Sequence, residues 1–249
     1  MCGRFVLNQT AAEIEAVFGV MDYEGGIAPR FNIAPTQPVL MIGKGYPRAP
    51  GSNLPDRCAI LVRWGLLPSW VKDVKGFPLL FNARSETAGE KATFRAALRH
   101  HRTLVPASGF YEWKRTGKAG AQPYLIRPKR GGLIAFAGLM ETYLDPNGSE
   151  MDTGAILTTN ANETLAPIHH RMPVVIQEED FERWLDCINN EPRDVADLMR
   201  PVEPDFFEAI PVSDRVNKVV NDDPGLLDPA PDAPEPVSEE RKADQLSLF

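Results

Sequence analysis

Read for its apolar spacing, the chain alternates short amphipathic runs with turn residues. Thr10-Ala11-Ala12-Glu13 has the form of a capping box, and Ile14, Val17 and Phe18 follow at helical spacing until Gly19, which predicts one short packing helix. The period then shortens. Arg30 to Gln37 leads into a predicted strand at Val39 to Ile42, Gly45 to Pro55 is a Pro/Gly/Asn-rich loop, and a second strand, Ala59 to Trp64, ends at Gly65. Leu66-Leu67-Pro68-Ser69-Trp70 follows as a loop with an aromatic at its tip. Helical spacing returns from Lys91 to Arg102, with Phe94, Ala97 and Leu98 facing inward and Arg95, Arg99 and Arg102 outward. Thr103 to Trp113 alternates like a strand. Tyr124 to Arg127, Leu133 to Glu141 and Gly154 to Thr159 do the same, with a turn at Asp145-Pro146-Asn147-Gly148. Helices at Glu178 to Leu185 and Pro192 to Met199, then a strand at Phe206 to Val212, close the pattern. It predicts one α+β domain of antiparallel-leaning strands with helices packed outside, ending near residue 220.

Composition adds bounds. With 249 residues, 43% of them hydrophobic, the chain can bury a substantial core. No apolar run approaches the roughly eighteen residues a membrane span needs, and no basic-then-apolar leader opens the chain, so a soluble cytoplasmic protein is expected. Cys2, Cys58 and Cys187 are too few and too scattered for a disulfide framework. The net charge of −7 is concentrated: Asp222 to Phe249 holds eight acids against Arg241 and Lys242, which leaves the preceding chain near neutrality. A near-neutral body can carry a local basic cleft, so nucleic acid stays open as a partner.

The chemistry concentrates at Met1-Cys2-Gly3-Arg4-Phe5. Removal of Met1 ahead of a small second residue would leave Cys2 with a free α-amino group beside its thiol. An α-amino group with a pKa of about 7.7–8 is roughly 10% neutral at pH 7, far more than any ordinary lysine at about 10.4. Such an amine can attack an aldehyde, and the thiol can then add to the imine carbon and close a five-membered thiazolidine. Glu112, set in Gly109-Phe110-Tyr111-Glu112-Trp113, is a candidate general acid if desolvation raises its pKa; the other reading is a surface carboxylate on an edge strand. His169 and His170 are adjacent on an extended stretch, so they point to opposite sides, and no Cys, Asp or Glu accompanies them at metal-ligand spacing. One catalytic or hydrogen-bonding histidine is expected there, with the other exposed. Trp70 is either core filler or an exposed stacking surface.

With Cys2-Gly3-Arg4-Phe5, Asn82-Ala83-Arg84-Ser85-Glu86-Thr87, Gly109 to Trp113 and His169-His170-Arg171-Met172-Pro173 in this order, the chain resembles the SRAP family, the SOS-response-associated peptidases or abasic-site processing proteins. The resemblance runs from Cys2 to about Asn217 and takes in Ala34-Pro35-Thr36, Trp64 to Trp70 and Thr158-Thr159. Thr103, Met140 and a local insertion at Gly45 to Arg57 depart from the family pattern. It implies a mixed, barrel-like β-sheet with peripheral helices and the amino terminus in a basic cleft that binds abasic sites in single-stranded DNA. By that resemblance Cys2 is the crosslinking nucleophile, Glu112 the acid/base, and His169 the group that polarises the sugar oxygen or phosphate. Asn82 would orient the N-terminal residue. Arg4 and Arg84 would be phosphate ligands, Trp70 a base-stacking wedge, and Pro35 and Thr158 lesser DNA contacts. No metal or cofactor is implied, and Met1 is expected to be released autocatalytically.

The predicted organisation is a catalytic and DNA-binding domain over residues 1–220, an acidic Pro-rich disordered linker over 221–244, and a terminal peptide over 245–249. Gln245-Leu246-Ser247-Leu248-Phe249 resembles the bacterial sliding-clamp binding motif, a glutamine followed by Leu, a small or acidic residue, then Leu-Phe filling an apolar pocket, which would make Gln245, Leu246, Leu248 and Phe249 the clamp-binding residues. A clamp-tethered monomer at replication forks is the expectation. Two rival functions remain at this stage: an N-terminal-nucleophile peptidase or amidase acting on other substrates, and a non-catalytic DNA-binding adaptor recruited by the clamp.

Overall fold

A computed structural model describes residues 2–20, 28–45, 51–52, 54–115 and 120–230. The amino-terminal pattern folds as its spacing dictates. Strand β1 (Phe5–Leu7) leads to helix α1 (Ala11–Phe18), where Thr10 and Glu13 cap each other reciprocally and Gly19 closes the end at φ 62°, a left-handed backbone that glycine adopts without cost. Strands β2 (Arg30–Ile33), β3 (Pro38–Lys44) and β4 (Arg57–Trp64) follow, then β5 (Asn82–Arg84), α2 (Ser85–Ala88), α3 (Arg95–His100) and β6 (Arg102–Ala107). The second half supplies β7 (Gly109–Arg115), β8 (Ala121–Pro128), β9 (Ile134–Leu144), β10 (Glu150–Asn160), β11 (Arg171–Pro173), β12 (Val175–Ile176), α4 (Phe181–Leu185) and β13 (Phe207–Pro211).

Two sheets result. β13, β8, β7, β1 and β2 lie in that order in an antiparallel sheet. In the other, β10, β4, β3, β6 and β9 pair in succession and β9 returns to β10, so five strands close into a barrel, mixed because β4 and β10 run parallel. Closure leaves those strands without an open edge along the ring. β5 and β11 extend from the far half of β10, and β12 from β9. Phe5 joins the sheets: its ring meets Trp64 of β4 edge-on at 5.2 Å and Phe136 of β9 at 6.2 Å. The chain's start is thereby anchored in the main core.

Three expectations change. The run from Thr103 to Trp113 is two strands in different sheets, broken at Ser108, because both halves keep the alternating pattern while the chain turns from one sheet to the other. The helix expected to reach Arg102 stops at His100. Arg102 is not an outward-facing helix residue but is 2% exposed, its guanidinium donating to the carbonyls of Leu98, Trp184, Asp186 and Asn190. One cation there satisfies chain ends that two helices leave open. Packing also continues past residue 220: Pro224–Leu227 form a 3₁₀ turn and Leu226 is buried with Val6, Tyr111 and Leu125. Among the described residues no helix is long and apolar enough to cross a membrane.

Candidate active site at the amino terminus

The pairing of β1 decides where Cys2 lies. β1 sits between β2 and β7, and beyond the ladder the Tyr111 N–H donates to the Arg4 carbonyl at 2.9 Å, so the sheet grips the chain two residues from Cys2. Glu112 is the next residue on β7. It is 3% exposed, and burial holds its pKa above the ordinary carboxylate value. Cys2 is wholly buried; burial, and secondarily the Glu112 carboxylate, push its thiol far up, so the resting sulfur keeps its proton.

Asn82 opens β5, which β10 holds in parallel register with Asn82 opposite Ile156. Its amide donates to the Cys2 carbonyl at 2.8 Å. His169 precedes β11, with Nδ1 3.9 Å from a Glu112 carboxyl oxygen. That nitrogen lies 3.0 Å from the Arg171 backbone nitrogen and 3.2 Å from the Arg171 carbonyl oxygen, so the backbone of one residue fixes the ring's orientation, and the tautomer decides which of the two contacts is the hydrogen bond. Burial lowers the His169 pKa, so the surroundings disfavour charge on both Glu112 and His169. His170 is exposed, but its ring lies 4.4 Å from that of His169, so the two do not point to opposite sides: the stretch before β11 is turn rather than extended chain. Four residues far apart in sequence thus converge: a thiol, an amide on its carbonyl, a buried carboxyl and an imidazole. Among the described residues no three His, Cys, Asp or Glu side chains are grouped to hold a metal ion.

The residues expected to touch DNA divide into two sets. Arg84 is exposed, Trp70 is 55% exposed with its ring edge-on to Phe77, and Pro35 is half-buried in the turn before β3. The next residue in that turn, Thr36, has φ 75°, a backbone that a β-branched residue adopts only at a cost of about 1–3 kcal/mol, and its N–H donates to the Trp64 carbonyl at 2.7 Å. Thr158 is buried and Arg4 half-buried. Thr158 has no exposed surface and its hydroxyl donates to the Ala83 carbonyl of β5. Arg4 donates to Asn32 at 2.8 Å and to the Val216 carbonyl at 2.7 Å, and lies over the Trp113 ring.

Two hollows, about 220 Å³ beside Asn8 and Arg127 and about 830 Å³ beside Phe18 and Phe206, have none of Cys2, Asn82, Glu112 or His169 in their walls. Convergent chemistry, not concavity, marks this site. The family described as SOS response associated peptidase (SRAP) matches residues 1–219.

The chain belongs to the SRAP family.

Its relatives include the abasic site processing protein YoqW of Bacillus subtilis, 40% identical over 92% of this chain and 99% of that protein. The abasic site processing protein HMCES of Gallus gallus is 33% identical over 92% of this chain and 78% of that protein. A crystal structure of a protein from Bacteroides thetaiotaomicron superposes with a TM-score of 0.79 at 25% identity, covering 92% of this chain and all of that one. On this SRAP fold the polar residues that sequence reading left without a role are Asn32, Glu86 and Arg171. Asn32 is 1% exposed and its amide donates to the carbonyls of Val216, Lys218 and Asn221, fastening the carboxy-terminal strap beside Arg4. Glu86 and Arg171 pair through both carboxylate oxygens. Their presence within two of the motifs was the available signal, but the pairing itself crosses 85 positions of sequence. Met1 and Gln245 to Phe249 lie outside the described residues.

Proposed function

We propose that this SRAP protein, once Met1 is removed, traps abasic sites in single-stranded DNA as a covalent thiazolidine on Cys2. The observation that carries the reading is the buried convergence of Cys2 with Asn82 on its carbonyl and Glu112 and His169 alongside. A ring-opened abasic sugar presents an aldehyde. The neutral α-amine attacks that carbon, and the resulting carbinolamine loses its hydroxyl as water when the Glu112 carboxyl, whose hold on a proton burial strengthens, gives it a proton. His169 would bind and polarise the sugar oxygen or phosphate. The carboxylate left on Glu112 then takes the thiol proton as sulfur adds to the iminium carbon. The thiazolidine closes, Glu112 is protonated again, and one water has left overall.

The raised thiol pKa favours this order over attack by a resting thiolate, which a peptidase acting on other substrates would need. Arg84 and Trp70 would hold the flanking phosphate and base. A clamp contact through Gln245 to Phe249 would raise the local concentration of the domain at stalled forks.

The test is incubation of the mature, untagged protein with single-stranded DNA carrying one abasic site, followed by a denaturing gel. A heat-stable shifted band is expected for the abasic strand alone. Cys2→Ala should lose that band yet retain some imine-type strand cleavage through its α-amine, and a tag left ahead of Cys2 should abolish both, since the amine is then an amide. No band from protein whose mass confirms loss of Met1 would falsify the reading.

A further inference from the structure

The pairing of Arg171 connects the two sides of the site. Its guanidinium is 6% exposed and donates from Nη1 and Nη2 to the two Glu86 oxygens at 2.7 and 2.9 Å. Nη1 also reaches Asn160 Oδ1 at 2.9 Å, and Nη2 the Thr158 carbonyl. The backbone nitrogen of the same arginine lies 3.0 Å from His169 Nδ1. Glu86 itself stands on α2, three residues after the Ala83 that receives the Thr158 hydroxyl and four after the Asn82 that holds the Cys2 carbonyl.

We infer that Glu86 is a positioning residue that sets the His169 ring through Arg171, and that locks the strand carrying Asn82 to the turn carrying His169. The inference rests on the functional reading above only for its kinetic consequence. Arg171 is buried and cationic, and Glu86 is its only carboxylate partner among the described ion pairs. With that charge removed, a guanidinium held by neutral acceptors alone is drawn toward solvent. Its backbone N–H, at the start of the three-residue strand β11, moves with it. The ring then loses the Arg171 backbone contacts at Nδ1 that hold its facing toward Glu112.

Glu86→Gln tests this, because it keeps the volume and one acceptor and removes the charge from a side chain that is 43% exposed, so the variant is expected to fold. Glu182→Gln is the control, since it breaks a comparable pair, with Arg57, whose guanidinium lies against the Phe18 carbonyl and the Phe181 ring rather than against any of the four convergent residues. Two readouts are taken on the same samples: the ring nitrogen shifts of His169 by NMR, and the rate of adduct formation on abasic single-stranded DNA. Glu86→Gln should move the His169 ring nitrogen shifts away from their wild-type values and slow the adduct about tenfold. Glu182→Gln should leave both unchanged. Unaltered His169 shifts in Glu86→Gln would overturn the inference, whether or not the rate fell. A wild-type protein that forms no adduct would sink the functional reading while the NMR comparison still decides the positioning role.

Discussion

A carboxyl at 3% exposure holds its proton more tightly in the folded chain than in the unfolded one, because desolvation penalises its charge. The sign of the linkage follows. Glu112 contributes stability fully below its unfolded pKa, near 4.3 in free peptides, and that contribution is lost as pH rises through the raised folded value. Loss runs at up to about 1.4 kcal/mol per pH unit inside that window. Glu112→Gln carries no such titration, so its melting temperature should gain on wild type as pH rises from 4 toward neutrality, while its adduct formation slows with little change in DNA affinity. A constant gap in melting temperature across that range would mean that the carboxyl is not desolvated as the fold indicates. At the same scale, Cys2 and His169 are each pushed by burial toward their neutral forms. The resting site is poised to transfer protons rather than to hold an ion pair.

Among the elements, β10 does the most to assemble the site. It pairs with β9 and β4 to close the barrel, then carries β5 with Asn82 on one edge and β11, next to His169, on the other. Gly154 sits where the parallel pair forms, opposite Trp64 and Met140. A Cβ added there would collide with the Met41 side chain, so Gly154→Ala should cost about 1–3 kcal/mol, read as a lower denaturation midpoint. An unchanged midpoint would show that Met41 can withdraw. The capping box and glycine stop of α1 were legible because their signals are local, within four residues of each end. The barrel strands were legible as apolar alternation, but their partners were not. β4 and β10 pair in parallel with Arg63 opposite Thr153, 90 positions away in sequence, and alternation alone does not specify a partner. Arg102 misled for a related reason: an arginine at helical spacing reads as a solvated face unless the carbonyls it caps, drawn from distant segments, are known.

For the whole molecule, charge and packing divide the chain differently. The acids that make it net negative are concentrated after Asp222, yet packing continues to the described end, with Leu226 buried and the Asn32 amide holding three carbonyls of the strap. The terminal peptide is a separable module on this reading. Deleting Gln245 to Phe249 should abolish binding to the bacterial replication clamp, measured by surface plasmon resonance, and leave adduct formation on free DNA unaltered; retained clamp binding would refute the motif. The sequence by itself determined the α+β class, the family through its four ordered motifs, and the identity of Cys2, Asn82, Glu112 and His169 as the residues to examine. Motif chemistry survives in one dimension because it depends on residue type and order. Only the tertiary structure decided that Thr158 is buried, that Arg4 meets Asn32 and the Val216 carbonyl, that burial shifts Glu112 and Cys2, and that Glu86 meets Arg171. Burial and pairing are properties of surfaces brought together across the fold, and no local pattern encodes how much water a side chain loses.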